Sequence, residues 1–142
     1  MFEKKSYKME NSRKFKRLKA SYLIKYQIAG STQEPFLANI KDLSAGGIRF
    51  WSDHFLQEGA LLKFSLWVPP IERTLEGLIR IVRVRQAKGR MVYYMATRFL
   101  EIAAADQAAL NNFIEKLAAN PDTQDLIENE SIVKRSVFSG RI

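Results

Sequence analysis

Six short strand-like runs occupy residues 20–100, divided by turn residues and interrupted by no helical pattern. In the first, Ala20, Tyr22, Ile24, Tyr26 and Ile28 share one face, with Ser21, Lys25 and Gln27 opposite, because side chains alternate along an extended chain. Residues 30–35 are a loop, and residues 36–41 and 47–51 form the next two runs. Leu61–Val68 alternates again, with Leu62, Phe64, Leu66 and Val68 on one side, and Pro69-Pro70 ends it because proline cannot donate to a ladder. Residues 75–85 interleave Ile79, Ile81, Val82 and Val84 with Arg80, Arg83 and Arg85; a turn holding Gly89 then leads to the sixth run, residues 91–100. Strands this closely spaced argue for an antiparallel sheet that closes to hide its edges, and against a parallel βαβ domain.

The period changes at Ala104. Ala104–Ala119 is rich in helix formers and sets Leu110, Phe113, Ile114 and Leu117 at i, i+3, i+4 and i+7, one apolar stripe. Asp106 suits the first turn, and Asn120-Pro121-Asp122 breaks the helix. The fold class expected is therefore all-β with a helical cap: a six-stranded antiparallel β-barrel with a C-terminal helix packed on it. A chain of 142 residues fits one domain. Residues 1–12 lack apolar periodicity and are expected as a flexible basic arm, followed by the domain at 13–119 and a tail at 120–142. Within that tail Leu126, Ile127, Val133 and Val137 allow a second helix over residues 123–138.

Charge is placed unevenly. Residues 1–30 carry nine Lys and Arg (Lys4, Lys5, Lys8, Arg13, Lys14, Lys16, Arg17, Lys19, Lys25) against Glu3 and Glu10, so they hold nearly all of the net +8. Such a segment attracts phosphate or acidic surfaces, although charge by itself favours the plainer reading of a solvated basic tail that aids solubility. No apolar run approaches the ~18 residues of a membrane span, and the first residues lack the apolar region of a secretory signal. The absence of cysteine excludes disulfides, thiolate zinc sites and cysteine nucleophiles, and fits a cytoplasmic location. Catalytic material is sparse. The single histidine, His54, is expected in an exposed loop, no His/Asp/Glu cluster has metal-ligand spacing, and Ser44 has no base near it in sequence. Trp51 and Trp67 are expected to pack in the core or a groove, with a stacking platform as the alternative for either, and Tyr93-Tyr94 to face opposite sides of a strand. The chain is not expected to be an enzyme or to hold a cofactor.

Asp42-Leu43-Ser44-Ala45-Gly46-Gly47 joins the second and third runs, and offers a carboxylate, a hydroxyl and two glycines within six residues. Alone it reads as a hairpin turn, since Asp and Ser bond nearby backbone amides and glycine relieves a turn. Upstream, Arg13-Lys14-Phe15-Lys16-Arg17 has the form RxxxR, and the turn has the form D/N-x-S-x-x-G. The two motifs in this order, with six strands and a capping helix, resemble the PilZ domain, a family of bacterial receptors for cyclic di-GMP. The resemblance covers residues 12–117. It implies that Arg13 and Arg17 contact guanine and phosphate, and that Asp42, Ser44 and Gly47 line the guanine site, with Ser12, Lys14 and Gly46 as secondary ligand contacts.

The chemistry suits that ligand. An arginine can bond guanine O6 and N7 as a fork or pair with a phosphate, Asp42 can accept from guanine N1–H and N2–H, and Phe15 can pack the arm down. Three readings follow. The chain is a cyclic di-GMP receptor that changes conformation and signals to an unidentified protein. Alternatively it is a small basic barrel binding RNA or single-stranded DNA through the arm and Arg80, Arg83 and Arg85, or a PilZ-fold interaction module without nucleotide binding. The presence of both motifs favours the first reading, and the near-neutral body disfavours nucleic acid.

Overall fold

A computed structural model describes residues 15–128 of the chain. Its strands are β1 (Arg17–Lys19), β2 (Leu23–Ile28), β3 (Phe36–Leu43), β4 (Ile48–Ser52), β5 (Leu61–Val68), β6 (Arg73–Gln86) and β7 (Tyr93–Ile102). Helix α1 (Ala104–Ala119) and a two-residue strand, β8 (Ile127–Glu128), complete the order. The sheet runs β2-β5-β6-β7-β4-β3, and β3 pairs again with β2, so the six strands expected from the sequence close into an antiparallel barrel. Closure leaves no long free edge, which removes the aggregation hazard of exposed strands.

Alternation decides what lies inside. Along β5, Leu62, Phe64, Leu66 and Val68 are buried, joined by Ile24 and Tyr26 of β2, Phe50 of β4, and Leu75, Ile79 and Ile81 of β6. A register slip between Ile81 and Arg83 leaves Val82 as an extra residue in β6. Because the side-chain period is two, this single insertion exchanges faces: Ile79 and Ile81 point inward before it, and half-buried Val84 pairs with buried Met95 after it. Arg83 and Arg85, which share parity with the buried isoleucines, are thereby turned outward.

Leu110 and Ile114 of α1 are buried in the same core, with Phe113 and Leu117 packed against it, as the stripe predicts. Polar ties fix the helix: Arg73 pairs with Asp106 at 2.7 Å and Lys16 with Glu115 at 3.3 Å. Among the described residues no helix is long and apolar enough to cross a membrane, and no three-residue metal-ligand cluster occurs.

Several readings need correction. The helix allowed over residues 123–138 does not begin within the described chain: Gln124–Leu126 is a 3-10 turn and Ile127–Glu128 pairs with β1. The remainder of that span, and the arm at residues 1–12, lie outside the described residues. His54 is only 29% exposed, its ring 4.0 Å (centroid to centroid) from Phe36. Of the places open to the tryptophans, the core is excluded: Trp51 and Trp67 stand on the barrel surface, Trp51 in a groove. Tyr93 and Tyr94 do face opposite ways, the former against Phe55 and the core, the latter against Trp51.

Candidate functional site

Two segments distant in sequence meet along one edge of β3. The first half of that edge pairs with β2, and its last two residues, Asp42 and Leu43, pair with Lys19 and Leu18 of β1. Arg17 therefore belongs to a strand laid directly beside the one that enters the 42–47 turn. Phe15 continues the contact, since a Cβ on Gly46 would stand 2.9 Å from its ring.

The turn is a tight hairpin held from within. Ser44 N–H donates to the Gly47 carbonyl at 2.9 Å, while Ser44 Oγ accepts from the amides of Gly46 (3.1 Å) and Gly47 (3.2 Å). The serine is a turn staple, one of the two roles open to it in sequence. Gly47 is required by close approach: a Cβ there would lie 2.0 Å from the carbonyl oxygen of Thr97 on β7. Helix α1 secures the outside of the turn through Gln107 Nε2, which donates to the Ala45 carbonyl at 2.6 Å.

Hairpin register sets Leu43 opposite Ile48 and Asp42 opposite Arg49. The consequence is a buried ion pair. Asp42 is 2% exposed, and Arg49 Nε donates to its two oxygens at 2.7 and 2.9 Å, with Nη2 adding a further bond to Oδ2. Lys41 Nζ stands 3.8 Å from the same carboxylate. Nη2 of Arg49 also donates to Glu128 Oε1 at 3.3 Å, so one guanidinium holds two carboxylates. Burial works against the charged arginine, but the hydrogen bonds and charge of Asp42 outweigh it and hold the Arg49 pKa above its ordinary value.

From this pair a cross-strand row runs around the barrel: Lys19, Asp42, Arg49, Ala96 and Arg83 are successive partners. The next row contains Trp51, Tyr94 and Arg85. Between them lies a groove of about 380 Å³ lined by Lys41, Arg49, Trp51, Arg83, Arg85 and Tyr94, among others. Trp51 meets Tyr94 edge-on at 5.5 Å, and the Arg49 guanidinium sits 5.9 Å from the Tyr94 centroid. Four cations and two aromatic rings on one face are suited to a planar, anionic ligand.

Of the residues singled out in sequence, the fold brings together Arg17, Asp42, Ser44, Gly46 and Gly47; Ser12, Arg13 and Lys14 lie outside the described residues. Arg49 was not singled out, although a turn closed between Ser44 and Gly47 makes positions 42 and 49 cross-strand partners. Arg83 and Arg85 were named as nucleic-acid contacts, but their gathering with Lys41, Trp51 and Tyr94 into one groove, without Arg80, depends on cross-strand pairing that a near-zero net charge for the body conceals.

The family model of the PilZ domain matches residues 11–116, a span that includes both motifs. The chain belongs to the PilZ domain family. Its fold resembles the Bacillus subtilis inhibitor of motility MotI/DgrA, with a TM-score of 0.60 and 24% identity over 70% of this chain and 47% of that one. The PilZ domain of YcgR from Escherichia coli, solved with c-di-GMP, matches with a TM-score of 0.56 and 16% identity over 72% of this chain and 88% of that one. The K. pneumonia MrkH–c-di-GMP complex matches with a TM-score of 0.54 and 21% identity over 71% and 49%. This PilZ chain spans about half the length of MotI and MrkH. At these identities the likeness is one of fold. No curated protein matches the sequence.

Proposed function

We propose that this PilZ domain is a receptor for cyclic di-GMP, acting in the cytoplasm and passing a conformational change to a protein partner. One observation carries the reading: β1 sets Arg17 beside the strand that enters the Asp42–Gly47 turn, on the barrel side that also gathers Lys41, Arg49, Arg83 and Arg85 around Trp51 and Tyr94. Two relatives of the same fold, YcgR and MrkH, are c-di-GMP complexes. The ligand presents two phosphates and two guanines. Arg13 and Arg17 take guanine O6 and N7 or a phosphate, and the groove cations take the remaining charge. Trp51 or Tyr94 offers a stacking surface. Asp42 accepts from a guanine edge only with lone pairs that Arg49 leaves free, so Arg49 belongs to the site as the residue that orients this carboxylate. Ser44, Gly46 and Gly47 shape the backbone against which the base lies, with Ser12 and Lys14 supplementary.

A second reading rests on the exposed basic and aromatic groove, which would also suit single-stranded RNA or DNA. Calorimetric titration at physiological salt with cyclic di-GMP, cyclic di-AMP and a short oligonucleotide separates the two. The receptor reading expects tight, saturable binding of cyclic di-GMP alone. Equal competition by the adenine analogue or preference for the oligonucleotide would favour nucleic acid. Binding of none would leave an interaction module.

A further inference from the structure

We infer that β8 is an internal competitor for the nucleotide site: the Glu128 carboxylate occupies an arginine that a ligand phosphate would otherwise claim. This rests on the receptor reading above. The chain after α1 is turned back deliberately. Thr123 Oγ1 donates to the Leu117 carbonyl at 2.8 Å, and Asp122 N–H donates to Asn120 Oδ1 at 2.9 Å. After the Gln124–Leu126 turn the chain pairs with β1, placing Ile127 opposite Leu18 and Glu128 opposite Arg17. Ile127 and Glu128 thus lie beside the strand that begins at Arg17, the second arginine of the RxxxR motif, and the Glu128 carboxylate reaches Arg49.

The two carboxylates on Arg49 are unequal. Asp42 is buried and held by several bonds, while Glu128 is 21% exposed and, among the described residues, held by one side-chain bond of 3.3 Å. A carboxylate and a phosphate oxygen accept from a guanidinium in the same way, so an arriving phosphate replaces Glu128 without stripping Asp42 of its partner. Among the described residues β8 pairs with β1 at only two positions, which is little pairing to lose. Displacing it frees the chain beyond α1 from β1, and so couples occupancy of the site to the C-terminal segment. Closure also lowers apparent affinity in proportion to the fraction closed.

The test uses the full chain with Glu128→Gln, which removes the charge and keeps the strand, and Glu115→Gln as a control that removes an equal charge from the Lys16 pair. A latch closed about nine-tenths of the time predicts that Glu128→Gln binds cyclic di-GMP roughly 10-fold tighter, with Glu115→Gln unchanged. Hydrogen exchange should show the amides of Ile127 and Glu128 losing protection at saturating ligand. Wild-type binding that Glu128→Gln leaves equal or weaker overturns the latch, as does an equal gain in Glu115→Gln or β8 protection that persists with ligand bound. Absence of binding in wild type and variants alike overturns the receptor reading, and the latch with it.

Discussion

Replacing Arg49 by Met should destabilise the fold through a residue that Arg49 does not resemble and that lies seven positions away. The methionine keeps most of the side-chain volume but removes the hydrogen bonds that Arg49 gives the Asp42 carboxylate, a group that is 2% exposed. Breaking a buried pair by removing one partner costs about 3–5 kcal/mol, because the surviving charge stays buried and unpaired. Arg49 is itself 22% exposed and Lys41 stands 3.8 Å from Asp42, so solvent and a substitute cation reduce the expected loss to about 2–3 kcal/mol. For a chain of this size that is a Tm lower by roughly 6–12 °C. Urea unfolding at neutral pH reads the loss directly, with the m-value unchanged. The double variant Asp42→Asn/Arg49→Met should be less damaged than the sum of the single variants by about 1–2 kcal/mol. A loss below about 1 kcal/mol, or strict additivity, would refute the claim that Arg49 neutralises a buried carboxylate.

Gly47→Ala drives a Cβ to within 2.0 Å of the Thr97 carbonyl, backbone that cannot step aside, and should cost more than about 3 kcal/mol. Gly46→Ala meets only the edge of the Phe15 ring and should cost about 1 kcal/mol or less; equal losses in thermal unfolding would remove the packing argument. Arg17→Ala should weaken cyclic di-GMP binding roughly 5- to 150-fold, with Lys5→Ala far milder, whereas equal losses would mean diffuse attraction by the arm. Guanine should be preferred over adenine by about 100-fold or more, measured by competition between cyclic di-GMP and cyclic di-AMP at fixed salt. Burial raises the Tyr26 pKa above its ordinary 10, against the hydrogen bond to Ser52 and with help from Asp53. Its contribution is complete below the unfolded-state pKa and is lost as pH rises through the higher folded-state value, so Tyr26→Phe should flatten the alkaline decline in stability above about pH 10.

The elements read from sequence were those whose pattern is internal to the element. Leu61–Val68 and Ala104–Ala119 have the bounds that alternation and the i, i+3, i+4 stripe assign them. β1 and the described part of β8 have no such pattern: three and two residues cannot display a period, and both are strands through the partner each pairs with. The outward turn of Arg83 and Arg85, which the nucleic-acid reading assumed, has a cause outside the local pattern. It depends on one inserted residue, Val82, whose apolar character looks like core and whose 44% exposure follows from the register of β7. His54 misled through its neighbours in sequence; the aromatic rings that cover it, Tyr26 and Phe36, come from β2 and β3.

The same distinction bears on the motif. Its letters were legible, but their roles are assigned by pairing across the hairpin, and pairing gives three of them structural work within the protein itself. Ser44 closes the turn, Gly47 makes room for the β7 backbone, and Asp42 is bound by Arg49. Polar atoms already committed can add little to ligand affinity unless a bond is exchanged, since each bond to the ligand must replace one within the protein. Among the described residues, net affinity must then come mainly from groups with spare capacity at the surface: Lys41, Arg83 and Arg85. Substitutions at Asp42, Ser44 and Gly47 should therefore lower stability and affinity together. Arg83→Gln and Arg85→Gln should lower affinity and leave the unfolding midpoint unchanged. If the surface arginines move stability and the turn residues do not, the division between scaffold and ligand contact is wrong, and the turn must face the ligand directly.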